Sequence, residues 1–410
     1  GAHGFMTVGS SEVLFERLGI PMPEIEFWDD VYFDIDGKWE KLEEIIELAN
    51  IPQFYVENVL PLSQEEMEKY ADVGFLDWLK TKTDDKRAHT FLDIMSWGMV
   101  LGGIETSSAT ETLIGLKNWA TATTSATQLK SENDLPRGSG TPKGGFAALN
   151  RILEDKCKEL GAEIRTNARV VDVVIEDGVA KGVEVLTGDR VMPTQLMDTE
   201  LIEAPVVVSS VPLWSLFSVV SEDRFPQWYV EWVKYISSHY ATLGTLFYGI
   251  EGDMPMGDDH SIWMVRKFPR TGVAGGLLPF PAYCNGTGQH QIAFWFQANW
   301  YDGPAGLDSS TWDSAKNRHA VKEWFDLWEE DCREYFPGFE ERCVWKVRQI
   351  GRAHVSPLPA NTRMYRPGVK PPGAKGFYLS SDTLRDWTPM GLAGAATCAM
   401  KCVDTILEEE

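Results

Sequence analysis

The chain has 410 residues, 43% of them hydrophobic and 24% charged, the balance of a globular protein long enough for two or three domains. Its 61 acidic side chains outweigh 38 basic ones, for a formal net charge of −23. A field of that sign repels nucleic acid and anionic membrane surfaces, so neither is an expected partner.

In chain order, Glu12 to about Ser131 reads as helical. "KLEEIIELANIP" is expected to stop at Pro52 and "SQEEMEKYADVGFLDWLKT" to start at a serine cap. "KRAHTFLDIMSWGMVLG" and "SATETLIGLKNWATAT" follow as further helices. The texture changes near Gly138, where "GSGTPKGG" is a glycine-rich turn leading into an amphipathic helix that ends at Gly161. "EIRTN" and "RVVDVVIEDGVAKGVEVLTG" read as strands with a tight turn at Asp177-Gly178, and "APVVVSSVP" as a buried strand. "QWYVEWVKYISSHY" places Trp228, Trp232 and Tyr235 on one helical face. "HSIWMVRKF" and "QIAFWFQANW" alternate as half-buried strands, "SAKNRHAVKEWFDLWEEDCREYF" is a long helix, and "CVWKVRQI" and "KGFYLSSD" return to strand texture.

Six cysteines in a chain this long make no disulfide framework. Cys157, Cys284, Cys332 and Cys343 stand alone, and Cys398 and Cys402 share a helical face with no second pair for a metal, so reduced thiols and a cytoplasmic location are expected. Asn285-Gly286-Thr287 is a glycosylation sequon only in a secreted chain. The first twenty residues lack the basic start and apolar run of a signal peptide. The longest apolar stretch, Ala204 to Val220, falls short of the ~20 residues of a membrane span. Sixteen tryptophans, among them Trp263, Trp295, Trp300, Trp312, Trp324 and Trp328, fit either an aromatic core or an aromatic-walled ligand cavity.

The closing segment, "GFYLSSDTLRDWTPMGLAGAATCAMKCVDTILEEE", carries the chemistry. Ligands of open α/β sheets sit outside the carboxyl ends of strands, where Asp382 could accept hydrogen bonds from a polyol. The helix begins near Met390-Gly391-Leu392-Ala393-Gly394-Ala395. Glycines in its first turn expose backbone N–H groups, and the helix dipole favours anionic character there. A small-residue helix packed closely and capped by a strand-end aspartate would explain the same spacing.

The segment resembles the C-terminal flavin signature of the phytoene desaturase and flavin amine oxidase superfamily. Phe377-Tyr378-Leu379 matches its strand, Asp382 its acid, and Gly391 and Gly394-Ala395 its helix start; "RPGVKPPGAKGFYL" is similar to the family's approach to that strand. "TPKGGFAALNRILEDKCKELGAEIRTNARVVDVVIEDGVAKGVEV" is similar to the family's Pro-x-Gly-Gly turn, helix and β-meander, and "GAHGF" to a strand that runs beside the flavin. The resemblance implies a mixed α/β, two-domain, glutathione-reductase-like FAD-dependent oxidoreductase. It assigns residues 1–10, 137–215 and 345–410 to a discontinuous, incomplete FAD-binding-type domain. Residues 11–136 and 216–344 form a substrate domain of helices and an amphipathic mixed sheet.

It also implies FAD contacts from Asp382, Met390, Gly391, Leu392, Gly394, Gly144, Gly145, His3 and Gly4, with Val170 on the adenine. Arg385 and Asp386, between Asp382 and the glycine helix, are the candidate catalytic pair; a surface ion pair is the plainer reading of both. The implied reaction is hydride exchange with a C–H or C=C of an apolar, isoprenoid- or lipid-like small molecule, with an amine substrate elsewhere in the superfamily. Peripheral membrane contact fits such a substrate, whereas a transmembrane segment and a metal are not expected.

Two features depart from the family. Ser381 stands where the family has glycine, and no Gly-x-Gly-x-x-Gly follows a strand anywhere in the sequence. Three explanations stay open: the dinucleotide-binding unit resides on a second chain in a hetero-oligomer, the sequence is part of a longer one, or flavin has been given up. The last would make this a non-catalytic binding protein of the escort kind, for a prenyl, lipid or protein partner.

Overall fold

Local chemistry fixes most element boundaries. The computed structural model describes residues 5–6, 9–35, 37–128, 139–187, 198–253, 260–282, 289–299, 318–355, 359, 362–385 and 391–409. It begins with β1 (Phe5–Met6), α1 (Ser10–Leu18), β2 (Ile25–Phe27), β3 (Val31–Ile35), β4 (Lys38–Lys41), α2 (Leu42–Leu48) and α3 (Ile51–Asn58). The helix expected to run to Pro52 stops at Leu48 instead. Asn50 turns left-handed (φ 49°), and Pro52 sits in the first turn of α3, where its missing N–H costs nothing.

The next expected helix is two, α4 (Gln64–Glu68) and α5 (Phe75–Lys80). Ser63 caps α4 in a reciprocal box with Glu66. The break between them lies where Phe75 N bonds Ser107 O and Ala109 N bonds Val73 O, so tertiary pairing takes the backbone groups a continuous helix would use. Then come α6 (Lys86–Val100), α7 (Ala109–Gln128), β5 (Ser139–Pro142) and α8 (Phe146–Glu159).

The meander follows as β6 (Val170–Glu176), β7 (Val179–Leu186) and β8 (Thr199–Glu203). Asp177 and Gly178 between the first two are both left-handed (φ 50° and 74°), the geometry of a two-residue hairpin turn. "EIRTN" forms no strand: Ile164 is 44% exposed and Asn167 turns left-handed (φ 56°), interrupting the extended run. The remaining elements are β9 (Val207–Ser209), α9 (Gln227–Ser238), β10 (Tyr240–Ile250), β11 (Ile262–Val265), β12 (Ala274–Phe280), β13 (His290–Asn299), α10 (Arg318–Tyr335), β14 (Cys343–Val355), β15 (Phe377–Leu379) and α11 (Gly391–Leu407).

Contacts divide the chain into two discontinuous units, Gly1–Ile152 with His239–Thr362, and Leu153–Ser238 with Arg363–Glu410. The first holds a seven-stranded sheet in the order β14-β10-β13-β12-β11-β3-β4, antiparallel apart from the β11–β3 pair. Leu246, Tyr248, Ile250 and Phe294 pack with Val321, Trp324, Phe325 and Trp328 of α10. A second cluster joins Ile262, Leu278, Phe280 and Trp295 with Trp28, Leu243 and Phe247. Helices α2 to α7 build a separate core around Phe75, Trp78, Phe91 and Leu113. A small sheet, β1-β5-β2, belongs to the same unit, where Phe15 of α1 and Leu149 of α8 form a further small cluster.

The second unit contains the antiparallel meander β6-β7-β8 and the parallel pair β9–β15. Arg224 Nη1 donates to Ile175 O (2.7 Å), fastening the segment before α9 to the meander. Helix α9 buries Tyr229, Val230, Val233 and Ile236. The face carrying Trp228 and Tyr235 is therefore not the core face: these residues are 59% and 51% exposed. Trp300, Trp312, Cys284 and Asn285 lie outside the described residues. Among those described, no helix is long and apolar enough to cross a membrane, and no cluster of His, Cys, Asp or Glu could hold a metal ion.

Candidate flavin site

In the second unit β9 and β15 run parallel, with Phe377, Tyr378 and Leu379 opposite Val207, Val208 and Ser209. Ser380 N donates to Ser209 O (2.9 Å), carrying the pairing one residue further. The turn that follows is held by its own hydroxyls. Ser381 Oγ and Thr383 Oγ1 are 2.9 Å apart, Thr383 N donates to Ser381 Oγ (3.3 Å), and Leu213 N donates to Thr383 Oγ1 (3.1 Å). Asp382 is thereby fixed, half-buried, just past the carboxyl end of β15. Ser381 is not among the left-handed residues, so its backbone does not require glycine and the departure from the family is conformationally neutral.

Arg385 follows with its side chain exposed and its backbone anchored, N donating to Pro367 O (2.9 Å). Helix α11 opens on Gly391 in the left-handed region (φ 68°), and apart from its chain neighbours and its own helix backbone no described atom lies within 4 Å of where a Cβ there would project. Gly394, Ala396, Cys398 and Cys402 form its buried face, while Leu392 stays partly exposed. This set fits the flavin end of FAD. A strand-end carboxylate suits a polyol, and a helix start with open space beside it suits an electron-rich ring edge.

Val170 opens β6 in the same unit, half-buried and opposite Val185. Gly144 and Gly145 belong to the first unit, where they form the turn between β5 and α8 with φ of 79° and 72°. His3, Gly4, Asp386 and Met390 lie outside the described residues. Reading the sequence missed the part that Ser209, Leu213 and Thr383 take in shaping the turn around Asp382. The signal was in "VVVSSVP", a buried strand ending in two serines.

Solved structures share this fold. An oxidoreductase from Methanosarcina mazei is 15% identical with a TM-score of 0.66, over 98% of this chain and 87% of its own. A putrescine oxidase bound to putrescine is 14% identical with a TM-score of 0.58, over 97% of this chain and 85% of its own. Cyclohexylamine oxidase from Brevibacterium oxydans is 12% identical with a TM-score of 0.54, over 99% of this chain and 87% of its own. No curated protein sequence matches the chain. The profile of the flavin-containing amine oxidoreductases matches residues 17–407. With nearly the whole chain inside that match, and with a strand-end acid and a glycine helix suited to FAD, the protein belongs to this family of FAD-dependent oxidoreductases.

Proposed function

We propose that these residues hold the flavin end of FAD against an apolar, isoprenoid- or lipid-like substrate whose C–H or C=C bond exchanges hydride. The observation carrying the proposal is the combination of half-buried Asp382 past β15 with a helix that opens on left-handed Gly391. FAD, when bound, supplies the hydride chemistry, and the protein supplies orientation and exclusion of water. Asp382 would accept hydrogen bonds from the ribityl hydroxyls, backbone N–H groups of Gly391, Leu392 and Gly394 would serve the electron-rich ring edge, and the resemblance adds Met390 to them. The resemblance assigns Val170 to the adenine and Gly144, Gly145, His3 and Gly4 to further contacts. Arg385 and Asp386 meet the substrate's head group or relay a proton. The apolar substrate class follows from the resemblance to the phytoene desaturases. Because the sequence contains no Gly-x-Gly-x-x-Gly, the grip on the diphosphate end is assigned to a dinucleotide-binding unit beyond these residues, on a partner chain or in further sequence of this one.

An amine substrate is the second reading. A net charge of −23 draws cations toward the protein, and two of the structural relatives are oxidases of putrescine and cyclohexylamine.

The test uses protein purified with whatever chains accompany it and loaded with FAD. Asp382→Asn and Gly394→Val should each weaken FAD binding roughly tenfold or more, the loss of a charge-assisted hydrogen bond or of close approach. FAD affinity equal to wild type in both variants would overturn the site. Anaerobic mixing with alkenes and allylic alcohols, and separately with primary amines, then reads which class bleaches the oxidised-flavin absorbance.

A further inference from the structure

His260 is 2% exposed and joins three segments of the first unit. Its Nδ1 lies 3.2 Å from Phe27 O. A carbonyl can only accept, so Nδ1 carries the hydrogen. In the neutral ring Nε2 is then an acceptor, and it lies 3.3 Å from Thr141 Oγ1, which donates. The backbone closes a reciprocal pair with residue 29: His260 N donates to Asp29 Oδ2 (3.0 Å), and Asp29 N donates to His260 O (2.9 Å). One side chain thus ties the end of β2, the middle of β5 and the lead into β11. Thr141 pairs with Glu26 across β5–β2, and two residues later Lys143 N donates to Glu24 O (2.9 Å), just ahead of the Gly144–Gly145 turn.

We propose that His260 is a positioning residue whose uncharged ring pins β5, and with it the Gly144–Gly145 turn, and that acid releases the pin. A second proton would place an N–H against Thr141 Oγ1, so the hydroxyl must turn its hydrogen away. It would also put a cation where water cannot reach. Asp29 and Glu26 act on the ring; the other charged groups on the segments packed with it are Asp30 with its Lys41 partner on the β3 side and Lys143 with its Glu24 partner on the β5 side. Burial opposes the charged ring more than Asp29 and Glu26 favour it, so the ring titrates below the usual histidine range. The sign follows: a base whose folded pKa is depressed contributes fully above its unfolded value of about 6.5 and loses that contribution as pH falls below it.

The consequence for FAD rests on the reading that the Gly144–Gly145 turn touches the cofactor, and the experiment separates the two claims. Hydrogen exchange of the peptide spanning 139–145 is measured between pH 7.5 and 5 and corrected for intrinsic rates. The wild type should lose several-fold of its protection across that range. His260→Gln, which cannot titrate, should show a flat profile, and Thr141→Val a lower protection that is equally flat. An acid loss in His260→Gln equal to wild type, or a flat wild-type profile, would overturn the proposal. FAD affinity over the same range is the second readout. Protection that falls while FAD affinity holds supports the pin and removes the turn from the cofactor site.

Discussion

Helices α9 and α10 carry the same motif with opposite outcomes. Trp228 and Trp232 lie four residues apart with ring centroids at 6.1 Å, as do Trp324 and Trp328. In α10 both indoles are buried, packed with Phe325 and Val321 against the large sheet. In α9 Trp228 is exposed, and Trp232 is half-buried with its Nε1 donating to Tyr365 O (2.8 Å). The difference lies in the neighbours. Helix α10 offers no rival apolar stripe, since Lys322, Glu323, Asp326, Glu330 and Arg333 occupy the other positions. Helix α9 has Tyr229, Val230, Val233 and Ile236, and that continuous row takes the core. Spacing identifies a helix face; competition between faces decides which is buried.

Three measurements test the contrast. The largest effect is expected from Trp328→Ala, which empties a fully buried site and should cost about 3–5 kcal/mol in denaturant unfolding. A cost under about 1 kcal/mol would mean that α10 is not held by its indoles. Next is the polar side of α10, where Lys322 Nζ and the Arg348 guanidinium hold the Asp326 carboxyl down at about 2. A depressed carboxylate stabilises the fold above its unfolded value of about 3.9 and loses that contribution as pH falls toward about 2. Asp326 is partly exposed, so the term should stay below about 1 kcal/mol. Stability of the wild type should fall more steeply between those pH values than that of Asp326→Asn; parallel profiles would remove the ion pair from the account. The smallest effect should come from Trp228→Ser, within about 0.5 kcal/mol, because its indole faces solvent. A larger loss would show that the exposed face of α9 is structural after all.

Much of the fold was legible where one chemical signal dominated. The Asp177-Gly178 turn, the serine cap of α4 and the strands β11, β13 and β14 followed from residue type and alternation, whereas β10 and β12, buried along nearly their whole length, did not. Legibility failed where distant partners decide. The gap between α4 and α5 is set by pairing with residues 107–109, and "EIRTN" has strand composition but pairs with no strand among the described residues. The candidate site divides the same way. Asp382 and Gly391 could be read from the sequence, since a strand-end acid and a glycine-led helix are local patterns. Thr383 could not, because its hydroxyl matters through Leu213, 170 positions earlier. His260 is one of seven histidines and has no motif around it in the sequence; only the fold brings Thr141 and Phe27 to its ring.

The pairing of β9 with β15 has a consequence for the order of assembly on the ribosome. Residues 207–209 emerge long before 377–379, and all of 239–362 must be translated between the two pieces of the second unit. At roughly 5–20 residues per second the interval is on the order of ten seconds. Throughout it β9 presents an unpaired, β-branched edge, while the first unit awaits only residues that precede 363. The nascent chain thus has a built-in delay during which that short strand is without its partner.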